Sequence, residues 1–143
     1  MTKPYLLDVN LLVALAWPSH VHHREAQQWF ARKGKSGFRT CPLTQAGFVR
    51  ISSNPKFSPE AVSPADAAQL LAEITGLPEH GFWPDDLTFE QAMGRIPHLA
   101  GHRQVTDAYL AALATAHGGI LATLDRGAAT LSSAVELVAR PRG

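Results

Sequence analysis

A chain of 143 residues is long enough to bury one core and close to the commonest size of a single domain, so one domain over residues 1–143 is expected. Hydrophobic residues at 45% and charged residues at 17% exclude a fibrous or wholly disordered chain. A net charge of +1 excludes a broad basic field for holding nucleic acid, and the single cysteine, Cys41, excludes an intramolecular disulfide and a cysteine-based zinc site. No apolar run approaches the roughly 18 residues of a membrane-spanning helix, and residues 1–8 lack a signal-peptide layout. A cytosolic protein with no membrane partner is expected.

In chain order, residues 4–8 form a short apolar run ending in an acid, and residues 11–17 continue apolar to the breaker Pro18; they read as strand, then helix. Residues 20–33 carry Val21, Ala26, Trp29 and Phe30 at roughly helical spacing and stop at Gly34. A second strand is expected over 38–41 and a helix over 42–51, with Pro42 in its first turn. Residues 54–59 form a Pro-containing loop. Ser63 followed by Pro64 is a favoured helix start, and that helix should end near Thr75 and Gly76. Phe82 and Trp83 suggest a third strand, and 88–93 a short helix. Val105, Tyr109, Leu110, Leu113 and Ala116 make a helical stripe closed by Gly118 and Gly119. Residues 120–124 and 134–138 are further strand candidates, and 140–143 a frayed tail. Continuous apolar strands alternating with helices predict a three-layer α/β/α sandwich around a central, mostly parallel sheet.

Ligands of such sheets collect at the carboxyl ends of the strands. Asp8 ends the first expected strand, Asp125 follows the strand over 120–124, and Asp107 lies in the first turn of the intervening helix. Each has a plain structural explanation: Asp8 and Asp125 as helix caps, Asp107 as a complement to the helix dipole. Together they would repel one another unless a cation compensates, so their convergence points to a divalent metal. Oxygen ligands without a cysteine or a histidine pair favour Mg²⁺, with Mn²⁺ as a substitute.

Four stretches carry a family resemblance: Leu6-Leu7-Asp8-Val9-Asn10-Leu11-Leu12, Cys41-Pro42-Leu43-Thr44-Gln45-Ala46-Gly47-Phe48-Val49-Arg50, Val105-Thr106-Asp107-Ala108-Tyr109-Leu110-Ala111-Ala112-Leu113-Ala114, and Leu121-Ala122-Thr123-Leu124-Asp125-Arg126-Gly127. In this order and spacing they resemble PIN-domain toxins, most nearly the VapC toxins of VapBC toxin–antitoxin modules. The resemblance spans nearly the whole chain. It implies a PIN-like fold and a metal-dependent endoribonuclease that cuts RNA and inhibits translation until a cognate VapB-type antitoxin blocks it. It also implies a homodimer. The family acids fall on Asp8, Asp107 and Asp125. Asn10 and Thr123 match polar residues that support the metal ligands from behind.

One departure stands out. Relatives of this kind carry a glutamate after the threonine of the second stretch, and this chain has Gln45 there; an alternative alignment would place the position at Gly47. Gln45 can offer a carbonyl oxygen to a metal or orient a water, but it brings no charge and is no general base. An exposed helical glutamine is also ordinary. The expected mechanism is hydrolysis by a metal-activated water leaving 5′-phosphate and 3′-hydroxyl ends, with one strong metal site and a weaker one completed by substrate phosphate.

Arg50, His102 and Arg103 are candidates for contact with RNA phosphate, although polar surface residues need no such role. His20, His22 and His23 lack the i, i+4 spacing of helical metal ligands and are expected at a solvated helix start. Trp17, Trp29 and Trp83 are expected in the core, and the early amphipathic helices at a dimer or antitoxin surface. Two rivals remain: a catalytically weak PIN domain that only binds RNA or a partner, and a phosphatase of the haloacid dehalogenase type. The latter would need an acid where this chain has Asn10.

Overall fold

The structure, a computed structural model, describes residues 2–96, 99 and 101–138. Among them five parallel strands, β1 (Tyr5–Leu7), β2 (Phe38–Thr40), β3 (His80–Phe82), β4 (Ile120–Thr123) and β5 (Val135–Leu137), form one sheet in the order β3-β2-β1-β4-β5. Among the described residues seven α-helices connect them: α1 (Val9–Ala16), α2 (His23–Arg32), α3 (Pro42–Ser52), α4 (Pro64–Thr75), α5 (Phe89–Arg95), α6 (Val105–Ala116) and α7 (Arg126–Ala129).

The alternation of side chains along each strand divides the core in two. Leu6 and Leu121 point to a cluster built with α5 and α6, whereas Leu7, Phe38 and Ala122 point to one built with α1 to α4. Both faces are covered, which explains why the strands read as continuous apolar runs. The three-layer sandwich with an entirely parallel sheet is as expected. Truncating one of the fully buried leucines, such as Leu7 or Leu121, would cost about 2–5 kcal/mol.

Helix α6 is buried from Ala108 through Ala114, and its alanines let it press against the sheet. It ends as the glycine pair predicts: Gly118 takes a positive φ of 72°, and the Gly119 amide returns to the Ala114 carbonyl at 2.7 Å. Ser63 caps α4 through the Asp66 amide, and Thr88 opens α5 with a reciprocal capping box to Gln91. Glu136 on β5 receives Trp29 Nε1 at 2.7 Å and Lys33 Nζ at 3.1 Å, pinning α2 to its layer.

Several boundaries differ from expectation. The third strand lies over His80–Phe82 with Trp83 just beyond it, and the second ends at Thr40, leaving Cys41 as the cap of α3. Of the tryptophans only Trp29 is fully buried; Trp17 and Trp83 are half-buried, the latter stacked on His117 at 4.7 Å. The three histidines are half-buried and bonded locally rather than solvated: His23 Nδ1 meets the Ala14 carbonyl at 2.7 Å and His22 Nδ1 meets Glu25 at 3.0 Å. Residues 140–143, expected as a frayed tail, lie outside the described residues. No helix of the described residues is long and apolar enough to cross a membrane.

Candidate metal centre

At the carboxyl edge, β1 gives way to Asp8, a residue only 5% exposed whose amide still bonds the Ala122 carbonyl at 2.9 Å. Asp8 Oδ1 accepts the Val9 amide at 2.8 Å, capping α1, and Oδ2 accepts the Thr123 hydroxyl at 2.7 Å. Thr123 Oγ1 in turn accepts the Asp125 amide at 3.0 Å. Asp125, exposed, caps α7 by accepting the Gly127 amide at 2.8 Å. Asn10 Oδ1 accepts the Leu124 amide at 3.3 Å. One buried hydroxyl and one amide thus stitch the ends of β1 and β4 together. Asp8 and Asp125 are helix caps, and capping leaves lone pairs on both carboxylates for another ligand.

Asp107, half-buried in the first turn of α6, has its pKa pushed up to about 7 by burial first, then by the charges of Asp8 and Asp125 and a hydrogen bond shared with Asp125. Burial also raises the Asp8 pKa against the pull of the Thr123 and Val9 hydrogen bonds, with Asp125 adding to the rise. Asp107 therefore senses both other acids, and Asp8 senses Asp125, across the β1–β4 edge. They are not closed into a cage: among the described residues, no three His, Cys, Asp or Glu side chains are gathered to hold a metal ion as they stand. The donor set nevertheless fits a hard cation, because every member is a carboxylate oxygen and their mutual repulsion is what a divalent charge relieves. Cys41 adds no soft ligand, since burial pushes its thiol up to about 11.

Gln45 stands in the first turn of α3 and is half-buried, with Nε2 donating to Thr40 Oγ1 at 3.0 Å. Gly47 leaves no room for a side chain: a Cβ there would lie 2.6 Å from Val9 Cγ2, where α3 packs on α1. Arg50, His102 and Arg103 are exposed, the last two in the turn leading into α6, and no hydrogen bond or salt bridge joins them to the acids among the described residues. A cavity of about 230 Å³ lies elsewhere, between residues 17–21 and 52–61, and includes none of the acids. Sequence reading passed over Thr40 and His80, which meet at 2.7 Å. The available signal was a polar residue ending a strand that is otherwise buried.

Comparison with known proteins adds an independent line. The family model for the PIN domain matches residues 5–133. Ribonuclease VapC38 of Mycobacterium tuberculosis is 47% identical over 127 residues, covering 89% of each chain. Ribonuclease VapC29 of the same species is 43% identical over 133 residues, 93% of this chain and 94% of the relative. Among solved structures, FitAcB from Neisseria gonorrhoeae superposes with a TM-score of 0.65 at 20% identity, covering 94% of this chain and 97% of that one. A VapBC2 complex from Rickettsia felis bound to a promoter DNA fragment gives a TM-score of 0.61 at 13% identity over 93% of this chain and 97% of that one. Fold, edge and family agree: the chain belongs to the PIN-domain family and, within it, groups with the VapC proteins.

Proposed function

We propose that the chain is a Mg²⁺-dependent endoribonuclease, the toxin of a toxin–antitoxin pair, that cuts RNA in the cytoplasm and so inhibits translation. The observation that carries this reading is the placement of Asp8, Asp107 and Asp125 at the starts of α1, α6 and α7 on one sheet edge, with Thr123 bonded to both Asp8 and the Asp125 amide. The relatives named as ribonucleases support the reaction class, and the solved complexes support a VapB-type antitoxin as partner.

Asp8, Asp107 and Asp125 would hold the cation. What a divalent cation supplies in such a site is compensating charge at the phosphate and a water acidic enough to attack near neutral pH. Asp8 is oriented by its two hydrogen bonds, and Thr123 keeps that orientation while tying down the Asp125 turn. Asp125 is the exposed member, at the rim where an RNA backbone would arrive. Arg50, His102 and Arg103 are candidates to meet its phosphates. Cleavage would leave 5′-phosphate and 3′-hydroxyl ends, and a homodimer is the assembly that goes with the family. The neutral Gln45 favours one second reading, a PIN domain of weak activity that acts mainly by binding. The phosphatase alternative loses ground to the PIN match, and Asn10 is occupied with the Leu124 amide.

The test is incubation of total RNA with the protein in Mg²⁺, Mn²⁺ or EDTA, beside Asp8→Asn. Cleavage should require the cation and disappear in the variant; cleavage indifferent to both would overturn the proposal. Induced expression should arrest growth, and unimpaired growth at high soluble yield would count against the toxin role.

A further inference from the structure

The neighbouring half of the carboxyl edge holds a hydrogen-bonded chain that the metal reading does not use. Thr40, the last residue of β2, is fully buried. Its Oγ1 lies 2.7 Å from His80 Nε2 and 3.0 Å from Gln45 Nε2. Burial lowers the His80 pKa, so the ring is neutral near pH 7 and one of its nitrogens is bare. With the proton on Nδ1, Nε2 is bare. A bare Nε2 accepts, so the Thr40 hydroxyl spends its one hydrogen on His80. What remains on Thr40 is a lone pair, and only the NH₂ end of Gln45 can satisfy it. The amide orientation, with Nε2 toward Thr40, is the one that goes with the Nδ1–H tautomer.

Nothing among the described residues donates to Gln45 Oε1. Gln45 itself lies one helical turn beyond the carboxyl end of β2, the strand beside β1 and Asp8. An outward NH₂ would suit a phosphate oxygen; an outward carbonyl suits a cation or its water.

We propose that Thr40 and His80 are positioning residues that hold Gln45 as an oxygen donor at the carboxyl edge, offered to the divalent cation or to a water beside it rather than to substrate phosphate. The cation part rests on the metal reading above, whereas the orientation does not.

Nitrogen-15 NMR of the metal-free protein tests the orientation directly. His80 should show the Nδ1–H tautomer and the Gln45 side-chain NH₂ slowed exchange. In Thr40→Val that protection should vanish with the backbone spectrum retained, and Thr40→Ser should restore it. An Nε2–H tautomer, or NH₂ exchange indifferent to Thr40→Val, would overturn the orientation. Should Thr40→Val fail to fold, His80→Leu keeps the buried hydroxyl but frees its hydrogen for Gln45 Oε1, and the same loss of NH₂ protection is expected. Mn²⁺ binding followed by electron paramagnetic resonance tests the second half: about tenfold weaker affinity in Thr40→Val and His80→Leu, recovered in Thr40→Ser. Unchanged affinity would overturn the role toward the cation. Wild-type protein that binds no Mn²⁺ would overturn the metal reading itself, with the tautomer still deciding the orientation.

Discussion

Two buried threonines end adjacent parts of the same sheet and do opposite things. Thr123, closing β4, gives its hydrogen to the carboxylate of Asp8 and its lone pair to the Asp125 amide. Thr40, closing β2, stands between His80 and Gln45, both neutral. The same hydroxyl chemistry thus organises a charged cluster, in which Asp8 and Asp125 raise the cost of ionising Asp107, and a neutral Thr40–His80–Gln45 chain. The difference locates the demand for a cation on the β1–β4 side and leaves the β2–β3 side to contribute an oriented, uncharged oxygen donor.

Removing charge from the cluster should have the largest effect. Asp8→Asn keeps the cap on α1 but loses the buried carboxylate, and RNA cleavage should fall by at least about a hundredfold in a gel assay at saturating Mg²⁺. Next comes Thr123→Val, which strands Asp8 Oδ2 and the Asp125 amide: cleavage should drop by roughly 10–100-fold, and urea denaturation should show a loss of about 1–3 kcal/mol. Gln45→Glu would carry charge into the neutral Thr40–His80–Gln45 chain. A carboxylate there needs the Thr40 hydrogen, so His80 must switch tautomer, and calorimetry should show Mn²⁺ affinity rising several-fold. Weaker binding in this variant would mean that the β2–β3 side does not face the cation.

The smallest effect concerns stability. Asp107 ionises near 3.8 in an unfolded chain and near 7 when folded, so between those values the folded state binds more protons and stability falls as pH rises. Asp107→Asn should melt a few degrees above the parent at pH 8 without divalent cation, a gain trimmed by solvent because the group is only half-buried. Differential scanning fluorimetry should find the gap closing toward about pH 4, and added Mg²⁺ narrowing it by stabilising the parent.

The parallel sheet and its layers were legible because apolar runs buried on both faces differ from alternating ones, and because caps such as Ser63 and Gly118 have local causes. The acids were legible as strand-end positions. What stayed hidden depended on contacts distant in sequence. Thr40 meets His80 only because β2 and β3 pair in parallel with Phe38 opposite His80. The bar to a side chain at Gly47 arises only where α3 crosses α1, so the alignment choice between Gln45 and Gly47 had no local signal. Trp83 read as a strand residue because it is large and apolar, yet it stacks on His117 outside the strand.

The central claim is that Asp8, Asp107 and Asp125 share one cation, and a Mn²⁺ titration of the metal-free protein across pH, with and without Asp107→Asn, tests it most directly. Affinity in the parent should climb as pH rises through about 7, where Asp107 sheds its proton, and should be weaker and flatter over that range in the variant. Binding of equal strength and equal pH dependence in both proteins would contradict the account.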